Sequence, residues 1–408
     1  MRRLLLLLAF LPALAAASDS VWLEYAPGGV VARAIVSGSK CPQITIDGAA
    51  SPMRVRAEAS KDYPLSCEAD VPAGAKSASI GKHELPVAKV GTSTRIAILG
   101  DTGCRRKIDK DDESVELQDC NDPKKWPFST VAGSIAKWNP DLVLHVGDYY
   151  YREAKCNDGK CVDASYTFHR WDDDFFRPAA ALLPNAPWVF VRGNHEECKR
   201  AAEGWFRYLD SRRFSWESET QCKSDLEFTP PWTATAGALR FLVLDSANLD
   251  DTNLNEAQVT RFGGQLATLA GAPAGSWLVL HHPFWAVRKK EAVTPTLWAA
   301  WKNAGEKAPP VALAVSGHIH LLETLGFVDA TLPQVVAGNG ATMLAKKPKQ
   351  GSGVNVGGRT VTDFYVDDHF GWIAATKGPN GWTFEIMTPK GKTRATCSVT
   401  ASTIDCRE

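Results

Sequence analysis

Five short apolar runs recur along the chain, and each stops abruptly in a polar cluster. Residues 96–99 lead into Gly100-Asp101-Thr102-Gly103, and residues 142–146 into Gly147-Asp148-Tyr149-Tyr150-Tyr151. Residues 188–191 lead into Arg192-Gly193-Asn194-His195-Glu196, residues 277–280 into His281-His282-Pro283, and residues 311–315 into Ser316-Gly317-His318-Ile319-His320. Unbroken apolar runs of this length read as strands buried on both faces, the habit of parallel sheets. Segments with helical periodicity fall among them, at 131–138, 175–183, 255–269 and 297–303. Strands alternating with helices predict an α/β domain. Gly and Asn are poor strand residues, so Asn194 and His195 stand past the end of their strand, where side chains serve chemistry more readily than packing.

The flanks read differently. Residues 20–93 carry short, nearly alternating runs (30–36, 43–46, 53–57) punctuated by Gly and Pro, with no helical period. They predict a small β domain, with Gly91-Thr92-Ser93-Thr94 as a linker. The tail returns to β at 371–375, 382–387 and 394–399. Ahead of all this, Met1-Arg2-Arg3, an apolar run from Leu4 to Leu14 and Ala15-Ala16-Ala17 have the form of a signal peptide. The run is short for a membrane span, although a retained anchor is the alternative. The expected organisation is a signal peptide at 1–17, a small β domain at 18–93 and a catalytic domain at 94–408. Export would give a periplasmic or secreted protein with no membrane anchor.

Export also changes how ten cysteines are read. They fall in near pairs: Cys41 with Cys67, Cys104 with Cys120, Cys156 with Cys161, Cys198 with Cys222, and Cys397 with Cys406. In an oxidising compartment such pairs predict local disulfides. A zinc site at Cys156 and Cys161 is disfavoured by spacing and compartment. The chain has 46 basic and 46 acidic residues, so bulk charge offers no case for nucleic-acid binding.

In an open α/β sheet, ligands bind at the carboxyl ends of strands. Here five strand ends supply two Asp, an Asn, Tyr residues and at least four His, a donor set suited to Fe, Mn or Zn. That is too many donors for one open site and about right for two. Each cluster alone has a bland reading: Gly-Asp and Gly-Asn-His are common turns, and His281-His282 could cap backbone groups. His318 and His320, spaced by one residue, are expected to project to the same side of an extended segment. The conjunction at successive strand ends is what points to a metal site.

The series Asp101-Thr102-Gly103, Gly147-Asp148 through Tyr151, Gly193-Asn194-His195-Glu196, His281 and Gly317-His318-Ile319-His320 resembles the calcineurin-like metallophosphoesterase superfamily. Within it, the chain is similar to the purple acid phosphatases. Gly103 stands where most of the superfamily has a ligand His, and Tyr151 where that branch places a Tyr on ferric iron. The resemblance implies a four-layer α/β/β/α sandwich preceded by a small all-β N-terminal domain. It implies two metal ions, Fe(III) plus a divalent Fe, Zn or Mn. Asp101, Asp148, Tyr151 and His320 would hold the first. Asp148, Asn194, His281 and His318 would hold the second, with Asp148 bridging. His195 would be the acid, and His282, Glu196 and Arg105 are candidates for contact with substrate or support of the ligands. The implied activity is an acid phosphatase hydrolysing small-molecule phosphate monoesters by metal-bound hydroxide. A phosphodiesterase or nucleotidase of the same superfamily is the alternative, and a catalytically silent binding protein the remote one. A decayed site should have lost ligands, and here each position is filled.

Overall fold

The computed structural model describes residues 20–108, 115–153, 165–287, 291–329 and 332–408. The expected signal peptide and the Cys156–Cys161 pair lie outside the described residues. The other four expected disulfides are present: Cys41–Cys67, Cys104–Cys120, Cys198–Cys222 and Cys397–Cys406. Among the described residues, no helix is long and apolar enough to cross a membrane.

Two large sheets face one another. The eleven-stranded sheet runs, in spatial order, Ile404–Arg407, Thr393–Val399, Gly381–Met387, Trp372–Gly378, Arg95–Leu99, Leu142–His145, Trp188–Phe190, Ser20–Ala26, Gly29–Val36, Leu65–Val71 and Arg54–Ala57. The eight-stranded sheet runs Trp232–Ala236, Leu239–Val243, Ser276–Val279, Val311–Ser316, Gln334–Ala337, Leu322–Phe327, Arg359–Asp367 and Asn355–Val356. The strands that carry the polar clusters run parallel to one another within each sheet, and Arg95–Leu99 is antiparallel to its other neighbour, Trp372–Gly378.

Side-chain alternation along the apolar strands explains the layering. Ile96, Ile98, Leu142 and Leu144 point into the core between the sheets, where Trp277, Val279, Leu313 and Val315 meet them from the other side. Ala97, Leu99 and Val143 point outward, against Phe128, Val131, Ala132 and Ile135 of the helix Phe128–Trp138. In the second sheet, Leu278 and Leu280 point out onto Val259, Phe262 and Leu266 of Glu256–Thr268 and onto Leu297 and Ala300 of Pro295–Ala304. The result is the α/β/β/α order, with unbroken apolar runs because both faces of each strand are covered.

The N-terminal region is all-β, and its sheet is continuous with the rest. Ser20–Ala26 pairs in parallel with Trp188–Phe190, and Gly29–Val36, Leu65–Val71 and Arg54–Ala57 extend the same sheet. Only Gln43–Ile46, Ala49–Pro52, Ala78–Ile80 and His83–Leu85 form a separate four-stranded sheet. One expected helix is displaced. Helical turns occupy Phe168–Trp171 and Asp172–Phe176, and the chain then runs through turns to Leu183. Pro178 lacks the N–H that a helix through 175–183 requires.

A buried ionic network ties the N-terminal strands to the third polar cluster. Arg33 lies between Glu24, at 2.8 Å, and its cross-strand partner Glu68. Arg56 pairs with Glu68 at 3.0 Å and donates to the carbonyls of Phe206, Arg207, Asp210 and Arg212 at 2.7–3.0 Å. Phe206 and Arg207 lie in the last turn of the helix Ala202–Tyr208 and Asp210 and Arg212 just beyond it, so the cation also meets the negative end of the helix dipole. Burial pulls the Arg56 guanidinium down to about 10, still charged at neutral pH. Removing one partner of a buried pair strands the other, at about 3–5 kcal/mol. Arg56→Met is therefore expected to lower unfolding free energy by about that amount, measured by denaturant titration; a change below about 1 kcal/mol would mean that the network adds nothing to stability.

Candidate metal centre

All five polar clusters meet where the carboxyl ends of the two sheets come together. The first sheet supplies Asp101, Asp148, Tyr151, Asn194 and His195, and the second supplies His281, His318 and His320. Sharp departures from the strands deliver three of these. Asp101, Asp148 and His318 all have left-handed backbones, with φ of 56°, 61° and 70°. Such conformations cost roughly 1–3 kcal/mol each and persist where the surroundings enforce them. Here the enforcement is visible: Asp101 N–H donates to Gly147 O at 2.9 Å, and His318 N–H to Asp101 Oδ2 at 3.0 Å. The extended segment expected at 317–320 is therefore absent. The turn at His318 sends His318 and His320 to different donor groups.

The first group is compact. Tyr151 Oη donates to Asp148 Oδ2 and lies 3.2 Å from Asp101 Oδ1 and 2.9 Å from His320 Nε2. In the second, Asn194 Oδ1 lies 2.9 Å from His281 Nε2 and 3.0 Å from His318 Nδ1, while His281 Nε2 is 3.3 Å from Asp148 Oδ2. One oxygen, Asp148 Oδ2, thus belongs to both groups. Gly103 and Tyr151 are sterically complementary, because a Cβ at 103 would sit 2.8 Å from the Tyr151 ring. Gly193 is extended (φ −94°) and is required for space: a Cβ there would lie 2.2 Å from Asp148 Oδ1.

The imidazoles are set as metal ligands need to be. A neutral imidazole has one N–H and one lone pair, and a partner for the first aims the second. His281 Nδ1 is 2.7 Å from Val146 O, His320 Nδ1 is 3.0 Å from Met343 O, and His318 Nε2 is 2.9 Å from Asp251 Oδ2. In each case the other nitrogen faces the carboxylates, phenol or amide of the cluster. Of the two neighbouring histidines, His281 faces Asp148 and Asn194. His282 lies against Ser246, with Nδ1 3.2 Å from its Oγ, and packs on His318 at 4.2 Å. Arg105 sits 5.7 Å over the Tyr151 ring. His145, inside the strand Leu142–His145, is buried, with Nε2 2.9 Å from Thr102 Oγ1.

Electrostatics point the same way. Burial raises the Asp101 carboxyl, and the adjacent Asp148 charge adds to the rise. Burial also opposes charge on Asp148, but His281 and His195 outweigh it and hold that carboxyl well below the usual range. Burial would lower His281, yet Asp148 and Asp101 hold it up at about 9. Burial, then Asp148 and Asp101, push the Tyr151 phenol up. Where burial and a neighbouring charge raise the proton affinity of Asp101 and Tyr151, a bound cation would compete with the proton.

Two residues escaped the sequence reading. Glu153 Oε2 lies 3.2 Å from His195 Nδ1, and Arg200 flanks it at 3.5 Å. Asp251 reaches His318 from a loop. Neither follows an apolar run, and both depend on loop placement that periodicity does not report. Glu196 is wholly buried: Oε1 accepts the N–H groups of Tyr149 and Tyr150, and Oε2 those of Asp148 and Gly193, at 2.9–3.1 Å. It thereby ties the second cluster to the third. Burial and the Asp148 charge push its carboxyl up to about 8.

The sequence profile described as calcineurin-like phosphoesterase matches residues 94–322, more than half of the chain. The chain belongs to the calcineurin-like phosphoesterase family. It is accordingly a metal-dependent phosphoesterase, a hydrolase of phosphate esters in a family that binds two metal ions. No curated protein matches the sequence. Among solved structures, PhoD aligns with a TM-score of 0.56 at 13% identity, covering 98% of this chain and 94% of its own. GAP50, the anchor in the inner membrane complex of Plasmodium, gives 0.45 at 13% identity, covering 75% of this chain and 88% of its own. A dimetal phosphatase from Danio rerio gives 0.36 at 10% identity, covering 72% and 96%. The PhoD alignment supports the phosphoesterase fold over nearly the whole chain, including the N-terminal β region.

Glu196 offers a direct test of how the site is held. A glutamine there must turn its NH2 toward two backbone N–H donors whichever way it is oriented. Glu196→Gln is expected to lose about 1–3 kcal/mol of stability and to retain fewer metal ions per chain after dialysis. Unchanged metal content by elemental analysis would make Glu196 a packing residue only.

Proposed function

We propose that the chain is an exported acid phosphatase of the purple acid phosphatase type, acting on small phosphate monoesters at a binuclear centre. The observation that carries the reading is the sharing of Asp148 Oδ2 between two donor groups, with His195 beside them. Asp101, Asp148, Tyr151 and His320 would hold one ion, and Asp148, Asn194, His281 and His318 the other. When bound, two cations supply positive charge to the phosphoryl oxygens and acidify water.

The protein's own groups have distinct tasks. Asp148 fixes the His195 loop by accepting the His195 N–H at 3.0 Å on Oδ1. Glu153 faces His195 Nδ1 at 3.2 Å and so helps set the direction of the ring, leaving Nε2 to serve the leaving-group oxygen. The Tyr151 ring, 3.8 Å from the His195 ring, limits its rotation. Arg105, over the Tyr151 ring, adds positive charge at the edge of the centre, which favours an anionic ester. Three anionic donors around the first ion, Asp101, Asp148 and the Tyr151 phenolate, favour Fe(III), with a divalent Fe, Zn or Mn in the second position. Four disulfides support an oxidising destination, consistent with the leader-like sequence ahead of residue 18.

His195→Ala is expected to keep both metal ions and lose about 10²–10⁴ in turnover, measured by elemental analysis and steady-state kinetics; loss of metal would make His195 a ligand. The purified protein should carry two metal ions and hydrolyse a chromogenic monoester faster than the corresponding diester at acid pH. If iron fills the first position, a visible phenolate-to-iron band should be present and vanish in Tyr151→Phe. Faster diester turnover would transfer the chain to the phosphodiesterases, and fewer than one metal per chain without hydrolysis would overturn the reading.

A further inference from the structure

The loop after the strand Leu239–Val243 carries none of the sequence clusters, yet it reaches the second donor group at two points. Ser246 Oγ accepts the backbone N–H of His282 at 3.1 Å. Asp251 Oδ2 lies 2.9 Å from His318 Nε2. The loop is itself braced. Asp250 Oδ1 accepts the N–H groups of Thr252 and Asn253 at 3.2 and 2.8 Å, and Gln258 of the following helix bonds to both Asp250 N–H and Asn248 O.

We propose that Asp251 is a positioning residue for the second metal ion, fixing His318 as the tautomer whose Nδ1 lone pair faces Asn194. This rests on the reading that Asp148, Asn194, His281 and His318 hold that ion. His318 departs from the strand with φ of 70°, so its ring needs a second anchor to keep its direction. His282 bounds one face of the ring at 4.2 Å, and Asp251 fixes rotation by accepting the Nε2 proton. An anionic acceptor at Nε2 also raises the basicity of Nδ1. Asp251 is 40% exposed, unlike the fully buried Glu196, so its removal leaves the interior packing intact. Asp251, His282 and His318 also offer donor atoms within 4.8 Å of one another. A third ion there would need the His318 Nε2 lone pair, which a neutral ring using Nδ1 does not have.

The test takes the full chain loaded with metal and equilibrates it against zinc buffers of falling free concentration, for wild type, Asp251→Ala and Asp251→Asn. Bound metal is counted by elemental analysis, and folding is checked by thermal denaturation. Wild type is expected to release two ions in two steps. Asp251→Ala should keep the tighter step and weaken the other by roughly 10–100-fold, with turnover restored by excess zinc. Asp251→Asn should lie between, because its amide oxygen still accepts the Nε2 proton. Wild-type affinity for both ions in Asp251→Ala, or equal weakening of both, would overturn the proposal. So would a wild type with three ions that falls to two in Asp251→Ala, which would assign Asp251 to a third site. If Asp251→Ala fails to fold, Asp251→Asn decides, and unchanged release of the weaker ion refutes the role. A wild type that binds fewer than two ions overturns the binuclear reading itself, an outcome separable from failure at Asp251 alone.

Discussion

Asp148 is a buried carboxylate with both oxygens committed. Oδ1 accepts the His195 N–H, and Oδ2 faces Tyr151 and His281. An isolated buried charge of this kind is very unfavourable, so everything around it compensates. His281 comes from the opposite sheet with a raised affinity for a proton, His195 comes from the neighbouring strand end, and Glu196 organises the N–H groups on either side. Both sheets thus contribute to balancing Asp148 at the ends where they meet. The first sheet contributes the acids and His195, and the second contributes His281, His318 and His320.

That balance is held against local strain. Three non-glycine residues at the centre have left-handed backbones, and two backbone segments approach so closely that a Cβ at Gly193 or Gly103 would collide with Asp148 or Tyr151. The compensation is distributed through the scaffold. Cys104–Cys120 pins the loop just after Asp101, and Cys198–Cys222 pins the segment just after Glu196. Arg33 and Arg56 hold the end of the helix that follows, from strands more than a hundred residues earlier in the chain. The N-terminal β region is thus coupled to the centre through polar contacts as well as through a shared sheet.

This division explains what could be read from the sequence. Strands buried on both faces announce themselves as unbroken apolar runs, so Asp101, Asp148, Asn194, His281 and His318 were legible as strand-end residues. Their grouping into two sets was legible only through the family resemblance. Alternation identified strands near the N-terminus without identifying their partners, which is why Ser20–Ala26 pairing with Trp188–Phe190 could not be foreseen. Pro178 should have stopped the helix expected at 175–183. Glu153 and Asp251 lay in segments whose composition reads as ordinary turn, and their meaning comes only from the imidazoles they meet.

The two donor sets differ in charge, and on the proposed reading that difference gives the centre a direction. The first offers Asp101, Asp148 and Tyr151, three groups that can be anionic. The second shares Asp148 and otherwise offers the neutral Asn194, His281 and His318. A unit charge about 4 Å away is worth about 4 kcal/mol at an effective dielectric constant near 20, nearly a thousandfold in affinity for a singly charged group. An amide rather than a carboxylate at position 194 therefore leaves the second side more positive than the first, with the half-exposed Asp251 beyond His318 as its nearby anion. His195 follows Asn194 of the second set in the chain and packs on Tyr151 of the first at 3.8 Å, so it borders both, with Glu153 and Arg200 beside it. A phosphate is thus drawn toward the less neutralised second ion, and the buried acids of the first set keep their ion too well neutralised to compete for it.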